Sequence, residues 1–405
     1  MTSSLVVALS DPIETISMPV PRRRPKLVFL VTEDWYFWSH RLALARAARD
    51  AGWEVVVATR VRAHGEAIRD AGFRLRPIDW RRRGDGLFGA LRAILEIARL
   101  YRAERPDLVH HVALKPVVFG GLARRLAFPR RRDGPRRIDA VMGLGSGFSR
   151  KGLGAQLRRP LLRLALGRLG GERGGRIIVQ NAGDAAALAG FGVAQARIAL
   201  IRGSGVDLAR FQPLCEPEGE GVTVALVARM LRDKGVLDAV AAVRRLRERG
   251  LAVSLLLAGP PDPDNEGSLD AAALEALARE PGIEWLGQVE DVRQVWRRAA
   301  IAVLPTTYGE GLPKALIEAA ACARPVVATD VAGCREIVVP GETGMLVPPH
   351  DVEALAAALA GLARDRAGRR RMGAAGRALV ERSFAEGIVV RQTLALYEAL
   401  MREPR

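Results

Sequence analysis

Residues 301–318 read Ile-Ala-Val-Leu-Pro-Thr-Thr-Tyr-Gly-Glu-Gly-Leu-Pro-Lys-Ala-Leu-Ile-Glu. Ile301–Leu304 is a short apolar run of the buried-strand kind. Gly309 and Gly311 supply a tight turn, and Pro313 is expected to open a helix as its first residue, where the missing N–H costs nothing. Such a strand–turn–helix unit aims backbone N–H groups at the carboxyl end of a strand, the place where anions bind in open parallel sheets. Glu310 stands before the helix and Glu318 about two turns inside it. That geometry suits a nucleotide-sugar: N–H groups for phosphates, one acid for sugar hydroxyls, one for a ribose diol. Gly311 to Ala323 is almost wholly apolar, so the helix is read as buried and Glu318 as a carboxylate that needs a partner.

Working outward, the same alternation repeats on both sides. After the unit come runs at 326–328 and 345–347; before it come 222–227, 253–258 and 283–286, with helical segments at 237–249 and 269–279 between them. An earlier series has strands at 25–31, 54–58, 106–111, 177–180 and 198–201, with helices from Ser39 to Asp50 and from Leu87 to Arg105. Strands alternating with helices predict parallel sheets covered on both faces. The fold class expected is α/β, two tandem doubly wound Rossmann-like domains facing each other across a cleft. The boundaries expected are a leader at 1–24, a first domain at 25–203 that takes the acceptor, a Pro/Glu/Gly-rich hinge and linker at 204–221, a second domain at 222–377, and a last helix at 378–405 that crosses back to the first.

A chain of 405 residues fits two domains. No apolar stretch is long enough to span a bilayer, and the acid-bearing first residues do not read as a signal peptide. Three widely spaced cysteines, Cys215, Cys322 and Cys334, suggest neither a disulfide framework nor a zinc site and fit a reducing cytoplasm. The net charge is +17, and Gly121 to Arg176 alone carries fifteen Arg and Lys against three Asp and Glu. With only Phe128 and Phe148 as aromatics there, stacking on nucleic acid is disfavoured and the anionic inner leaflet is the expected partner. The run Leu157 to Leu169 mixes Leu and Arg as an interfacial helix does; a core helix with a solvated Arg face reads equally well.

Arg229 and Lys234 follow the first strand of the second series, placed to hold a diphosphate and stabilise its charge as it leaves. A plain surface loop is the alternative for either residue taken alone. Asp330-Val331-Ala332-Gly333-Cys334-Arg335-Glu336 forms a further loop on the same edge, where Arg335 and Glu336 are expected to cap or pair locally.

These elements together resemble the family 4 glycosyltransferases, the retaining GT-B group: Glu310…Glu318 as E-x7-E, Arg229…Lys234 as R-x4-K, Asp330…Glu336 as D-x-x-G-x-x-E, and Gly203-Ser204-Gly205-Val206-Asp207 as the hinge. The likeness covers residues 25–400 and is specific in the second half. It implies that Arg229 and Lys234 bind donor phosphates and act in catalysis, that Glu318 holds the ribose, that Glu310 contacts the transferred sugar, and that Gly311 and Leu312 offer backbone N–H groups. Ala323 stands where the family often has Gly, and Val112 where it often has the second His of a His-x-His. On the acceptor side the polar candidates are His110, His111, Lys115 and His40.

Residues 34–41 and 111–116 resemble a subgroup that builds O-antigen, capsule and lipid-linked oligosaccharides, with Trp35–Trp38 as either an apolar lip or core. The implied activity is retaining transfer of a sugar, such as an N-acetylhexosamine, from a UDP-linked donor to a lipid-linked or saccharide acceptor. The implied setting is the cytoplasm, peripheral on the inner face of the plasma membrane, with no nucleic acid partner. No metal or other cofactor is expected, since the two cations do the charge work. A sugar-nucleotide 2-epimerase shares the architecture and is the alternative. A nicotinamide dehydrogenase lacks its Gly-x-Gly-x-x-Gly here: Val31-Thr32-Glu33-Asp34-Trp35 stands in its place.

Overall fold

The computed structural model describes residues 23–80, 86–130, 133–144, 160, 163–164, 166–168, 174–219, 221–309 and 311–404. Two all-parallel sheets form from the apolar runs. The first contains β1 (Lys26–Glu33), β2 (Glu54–Arg60), β3 (Arg74–Pro77), β4 (Leu108–Val112), β5 (Arg136–Val141), β6 (Gly175–Val179) and β7 (Ile198–Leu200), in the order β3-β2-β1-β4-β5-β6-β7. The second contains β8 (Val222–Val227), β9 (Val253–Ala258), β10 (Ile283–Trp285), β11 (Ile301–Leu304), β12 (Val326–Thr329) and β13 (Gly344–Val347), in the order β10-β9-β8-β11-β12-β13. The strand order reverses beside β1 and beside β8, and ligands of open α/β sheets bind at the carboxyl ends of the strands flanking such a point. The fold is therefore the two-sheet α/β arrangement that the periodicity predicts.

Helices cover both faces of the first sheet. On one lie α1 (Asp34–His40), α2 (Leu42–Asp50) and α3 (Gly65–Asp70), whose Phe37, Leu44 and Ile68 share a core with Phe29 and Val57. On the other lie α4 (Gly86–Glu104) and α5 (Leu114–Ala127), whose Ile97, Tyr101 and Ala123 pack with Val28, Leu30 and Val109. The last helix, Glu386–Arg402, also joins the first sheet, burying Val389, Tyr397 and Leu400 beside Phe29. Two chain segments thus cross between the halves, and they pair: Val206 N–H donates to the Phe384 carbonyl, and Glu386 N–H to the Val206 carbonyl, both at 2.9 Å. Gly205 has φ +73, and a Cβ there would stand 2.5 Å from the Glu386 Cα, so only glycine fits.

Several details differ from the sequence reading. The helix expected from Ser39 is two, broken at Arg41, whose φ of −128 is not helical; the first starts at the buried Asp34, whose carboxylate accepts the N–H groups of Trp35, Arg62 and His64 at 2.7–2.8 Å. Pro313 is the cap of the helix Lys314–Ala321 and not its first residue. β3 and β5 were not foreseen. The basic stretch 121–176 is not one charged surface either. Arg124, Arg136 and Arg137 are buried, and Arg137 pairs with Asp139 at 2.6 Å. Most of the Leu157 to Leu169 run lies outside the described residues. No helix among the described residues is long and apolar enough to cross a membrane.

Candidate active site

A cleft of about 580 Å³ opens between the two sheets. Each wall is made by residues just past strand ends. The first sheet gives Trp35, Tyr36 and His40 after β1, Ala113 after β4, Met142 after β5 and Gln180 after β6. The second gives Arg229 and Lys234 after β8, Asp264 and Asn265 after β9, and, after β11, Tyr308, Gly309, Gly311, Leu312, Lys314 and Ile317.

The structure brings Arg229, Lys234, Gly311, Leu312 and His40 of the sequence candidates into this one cleft. Arg229 is ion-paired to Asp262, whose own N–H donates to Ser268 Oγ at 2.8 Å. Lys234 ends a 3-10 turn, with its ammonium 5.1 Å from the centre of the Tyr308 ring. The next residue, Gly235, is left-handed at φ +74, and a Cβ there would lie 2.1 Å from the Pro305 carbonyl oxygen. Close backbone approach between the β8 and β11 loops therefore requires glycine. Glu310 lies outside the described residues. Glu318 is one helical turn behind the cleft wall, with Lys314 Nζ 3.8 Å away. Burial pushes its carboxyl above the usual range, and the charges of Lys314 and Arg210 oppose that.

Gly311 also touches the first half. Asn181 Nδ2 donates to the Gly311 carbonyl at 2.8 Å, and a Cβ on Gly311 would stand 2.5 Å from Gln180 Oε1. Lys314 Nζ donates to the Ser39 carbonyl, and Arg62 pairs with Asp264 at 2.8 Å. Glu336 does not pair locally as the sequence suggested. It accepts from Ala182 N at 3.1 Å and pairs with Arg202 at 2.8 Å, both in the first half, while Arg335 does pair locally with Asp330. The cleft is thus strutted by polar contacts along its length.

On the acceptor side the candidates separate. His40 is half-buried, stacked on Tyr36 with ring centres 4.2 Å apart. Its Nδ1 is 2.7 Å from Ser39 Oγ, which also lies 2.8 Å from the Trp35 carbonyl oxygen. Burial holds its pKa well below the usual value, with the charges of Lys314 and Arg41 adding to the effect. His110 and His111 do not face the cleft. Successive residues of β4 point to opposite faces, and both are sealed: His110 bonds Tyr397 Oη, and His111 bonds Asp139 at 2.7 Å and Tyr101 Oη at 2.8 Å. Lys115 lies over the Trp80 and Phe119 rings. The aromatic run divides, Trp35 and Tyr36 lining the cleft and Phe37 lying in the core.

Sequence reasoning missed Tyr308, Gln180 and the Asp262–Asn265 loop. For the loop a signal was present: Gly259-Pro260-Pro261-Asp262-Pro263-Asp264-Asn265 directly follows the apolar run Val253–Ala258, the same strand-then-turn pattern as at residue 301.

The buried histidines carry a pH consequence. Burial lowers the pKa of both His110 and His111. Unfolded histidine takes up a proton near pH 6.5, so below that value the unfolded chain binds more protons and stability falls. Glu318, held high, acts in the opposite sense, over a window that starts at its ordinary value of 4.5. The urea midpoint is expected to drop between about pH 7.5 and 5.5, the interval around the ordinary histidine pKa, with an uptake of more than one proton. A flat midpoint across that interval would show that the folded histidines titrate normally.

Known proteins match both halves. The family described as glycosyl transferases group 1 matches residues 221–365, and that described as glycosyl transferase 4-like matches residues 26–168. N,N'-diacetylbacillosaminyl-diphospho-undecaprenol alpha-1,3-N-acetylgalactosaminyltransferase of Campylobacter jejuni is 25% identical over 89% of this chain and 95% of its own. Sucrose-phosphate synthase of Thermosynechococcus elongatus superposes with a TM-score of 0.76 at 24% identity, over 93% of this chain and 99% of that one. Anabaena HepE in complex with UDP and glucose superposes with a TM-score of 0.74 at 16% identity, over 92% and 99%. With each half matched in its own right and the two-sheet architecture shared almost end to end, this chain belongs to the group 1, family 4-type glycosyltransferases and has their GT-B fold.

Proposed function

We propose that this glycosyltransferase moves a sugar from a UDP-linked donor, held on the second sheet, to a lipid-linked saccharide held on the first, with retention of anomeric configuration, in cell-surface polysaccharide synthesis. The observation that carries the reading is the convergence of Arg229, Lys234 and the start of the helix at Lys314 on one wall of the cleft. Two cations and a helix N-terminus there suit a diphosphate, first bound and then leaving. Arg229 exchanges Asp262 for donor phosphate, and Glu318, a turn behind, takes the ribose hydroxyls. The role of Glu310 against the transferred sugar rests on the E-x7-E resemblance. The bond from the anomeric carbon to the diphosphate oxygen breaks, the acceptor hydroxyl oxygen bonds to that carbon on the same face, and its proton passes to the departing phosphate oxygen. His40, neutral and on the opposite wall, is the acceptor-side polar group.

The donor class is supported by HepE, solved with UDP and glucose, and the acceptor class by the Campylobacter enzyme, whose name specifies a diphospho-undecaprenol-linked saccharide. Such an acceptor places the protein at the cytoplasmic face of a membrane. The charge work falls to protein cations, so no metal is required.

Calorimetric titration with UDP and with GDP, in buffer containing EDTA, tests the donor half. UDP is expected to bind, and Arg229→Ala and Glu318→Ala each to weaken it by about tenfold or more, the scale of one charge-assisted hydrogen bond. Unchanged affinity in both variants, or no UDP binding by the wild type, would refute the assignment.

A further inference from the structure

Helix α4 is apolar on both faces. Its inner face buries Ala93, Ile97, Ala98 and Tyr101. Its outer face leaves Leu87 84%, Phe88 89%, Leu91 52% and Leu95 41% exposed, a stripe at helical spacing. A helix on the surface of a soluble domain ordinarily turns polar residues outward. Here the outward charges are Arg92, Arg99 and Arg102, of which Arg92 pairs with Asp79. The two acids of the helix are withdrawn: Glu96 is half-buried, and Glu104 is buried among Lys26, Arg74 and Arg76. Helix α5 extends the patch with the exposed Leu122 and Leu126, and Arg102 joins the two helices by donating to the Leu126 carbonyl.

The position of the stripe is set by topology. All pairings in the first sheet are parallel, so the helix that follows β3 begins at the carboxyl edge, the edge that opens on the cleft. Leu87 and Phe88, the most exposed pair, stand at that end.

We propose that the outer face of α4, continued by Leu122 and Leu126, docks on the surface of an anionic lipid bilayer. The Leu and Phe side chains enter the boundary between headgroups and acyl chains, and Arg99 and Arg102 meet lipid phosphates. An exposed apolar stripe flanked by Arg99 and Arg102, with Arg92 matched by Asp79, fits that surface, which offers hydrocarbon beneath a layer of negative charge. The inference rests on the lipid-linked-acceptor reading for its purpose: it sets the mouth of the cleft at the membrane plane, where such an acceptor lies.

The test is co-sedimentation of the full chain with phosphatidylcholine vesicles, with and without phosphatidylglycerol. The wild type is expected to partition onto the anionic vesicles, and Phe88→Ser combined with Leu91→Ser to lower the partition by about tenfold or more. Arg99→Glu is expected to lower it on anionic vesicles alone and to flatten its salt dependence. All these side chains are exposed, so unfolding midpoints should match the wild type, and gel filtration reports association. No partition onto anionic vesicles, or equal partition of wild type and the double variant, overturns the proposal. So does a wild-type dimer that the double variant splits, which would assign the face to a second copy. The vesicles carry no saccharide, so this outcome is independent of whether transfer to a lipid-linked acceptor is observed.

Discussion

Lys234→Ala is expected to lower the turnover of sugar transfer by about a hundred- to a thousandfold, the loss found when one preorganised donor to a developing anion is removed. Departure of a diphosphate concentrates negative charge on its bridging oxygen, and a fixed cation there stabilises the transition state more than the bound donor. The backbone at Lys234 is held twice. Gly235 abuts the Pro305 carbonyl, and the Asp233 carbonyl accepts from Thr306 Oγ1 at 3.0 Å and from Thr307 N at 2.9 Å. The point from which the Lys234 side chain enters the cleft is therefore fixed. Arg229→Ala is expected to cost less, because Arg229 already has Asp262 as a partner, and part of its attraction for phosphate goes into replacing that pair. Steady-state rates at saturating donor decide the matter: a Lys234→Ala rate within threefold of wild type would remove Lys234 from the chemistry.

Asp139→Ala destabilises the fold by about 3–5 kcal/mol, the scale of breaking one partner out of a buried ion pair. Asp139 is fully buried, pairs with Arg137 at 2.6 Å and accepts from His111 Nδ1 at 2.7 Å. Burial alone would raise its carboxyl; the Arg137 charge and the His111 bond together hold it below the usual range. Removing it takes the carboxylate away from the buried Arg137 guanidinium and frees Nδ1–H, while Tyr101 continues to serve the other ring nitrogen. Urea unfolding measures the loss, and a change under about 1 kcal/mol would show that water or a neighbour replaces the carboxylate. UDP affinity should be unchanged, since Asp139 lies in the first sheet and the proposed donor site in the second.

That network also shows where the sequence is legible and where it is not. Aliphatic runs such as Ile301–Leu304 and Val253–Ala258 announce strands because their burial on both faces needs nothing but local composition. β5, read as Arg-Arg-Ile-Asp-Ala-Val, is equally buried, yet half its residues are charged, and it is solvated by partners that the sequence does not place beside it. His110 and His111 looked like site residues for the same reason. A polar pair at a strand end resembles a catalytic edge until its partners are known, and Tyr397 stands 287 positions from His110. The second half was more readable, since Arg229, Lys234 and the turn after β11 each lie within a few residues of a strand end, and topology alone brings strand ends together. Glu336 shows the limit of that rule: its place on the edge was foreseen, its reach across to Arg202 was not.

The paired crossings at Val206 and Ala385 have a mechanical consequence. One flexible tether would let the halves twist, slide and swing in any direction. Two chain segments joined by a backbone bridge resist shear and torsion more than one tether does, and leave bending about one axis soft. Opening to exchange substrate then becomes motion along a single coordinate, and each closure returns the loop after β8 to the same station opposite Tyr36. Registration of the two reactants is thus set first in the joint, at a distance from the chemistry, and the polar struts across the cleft complete it.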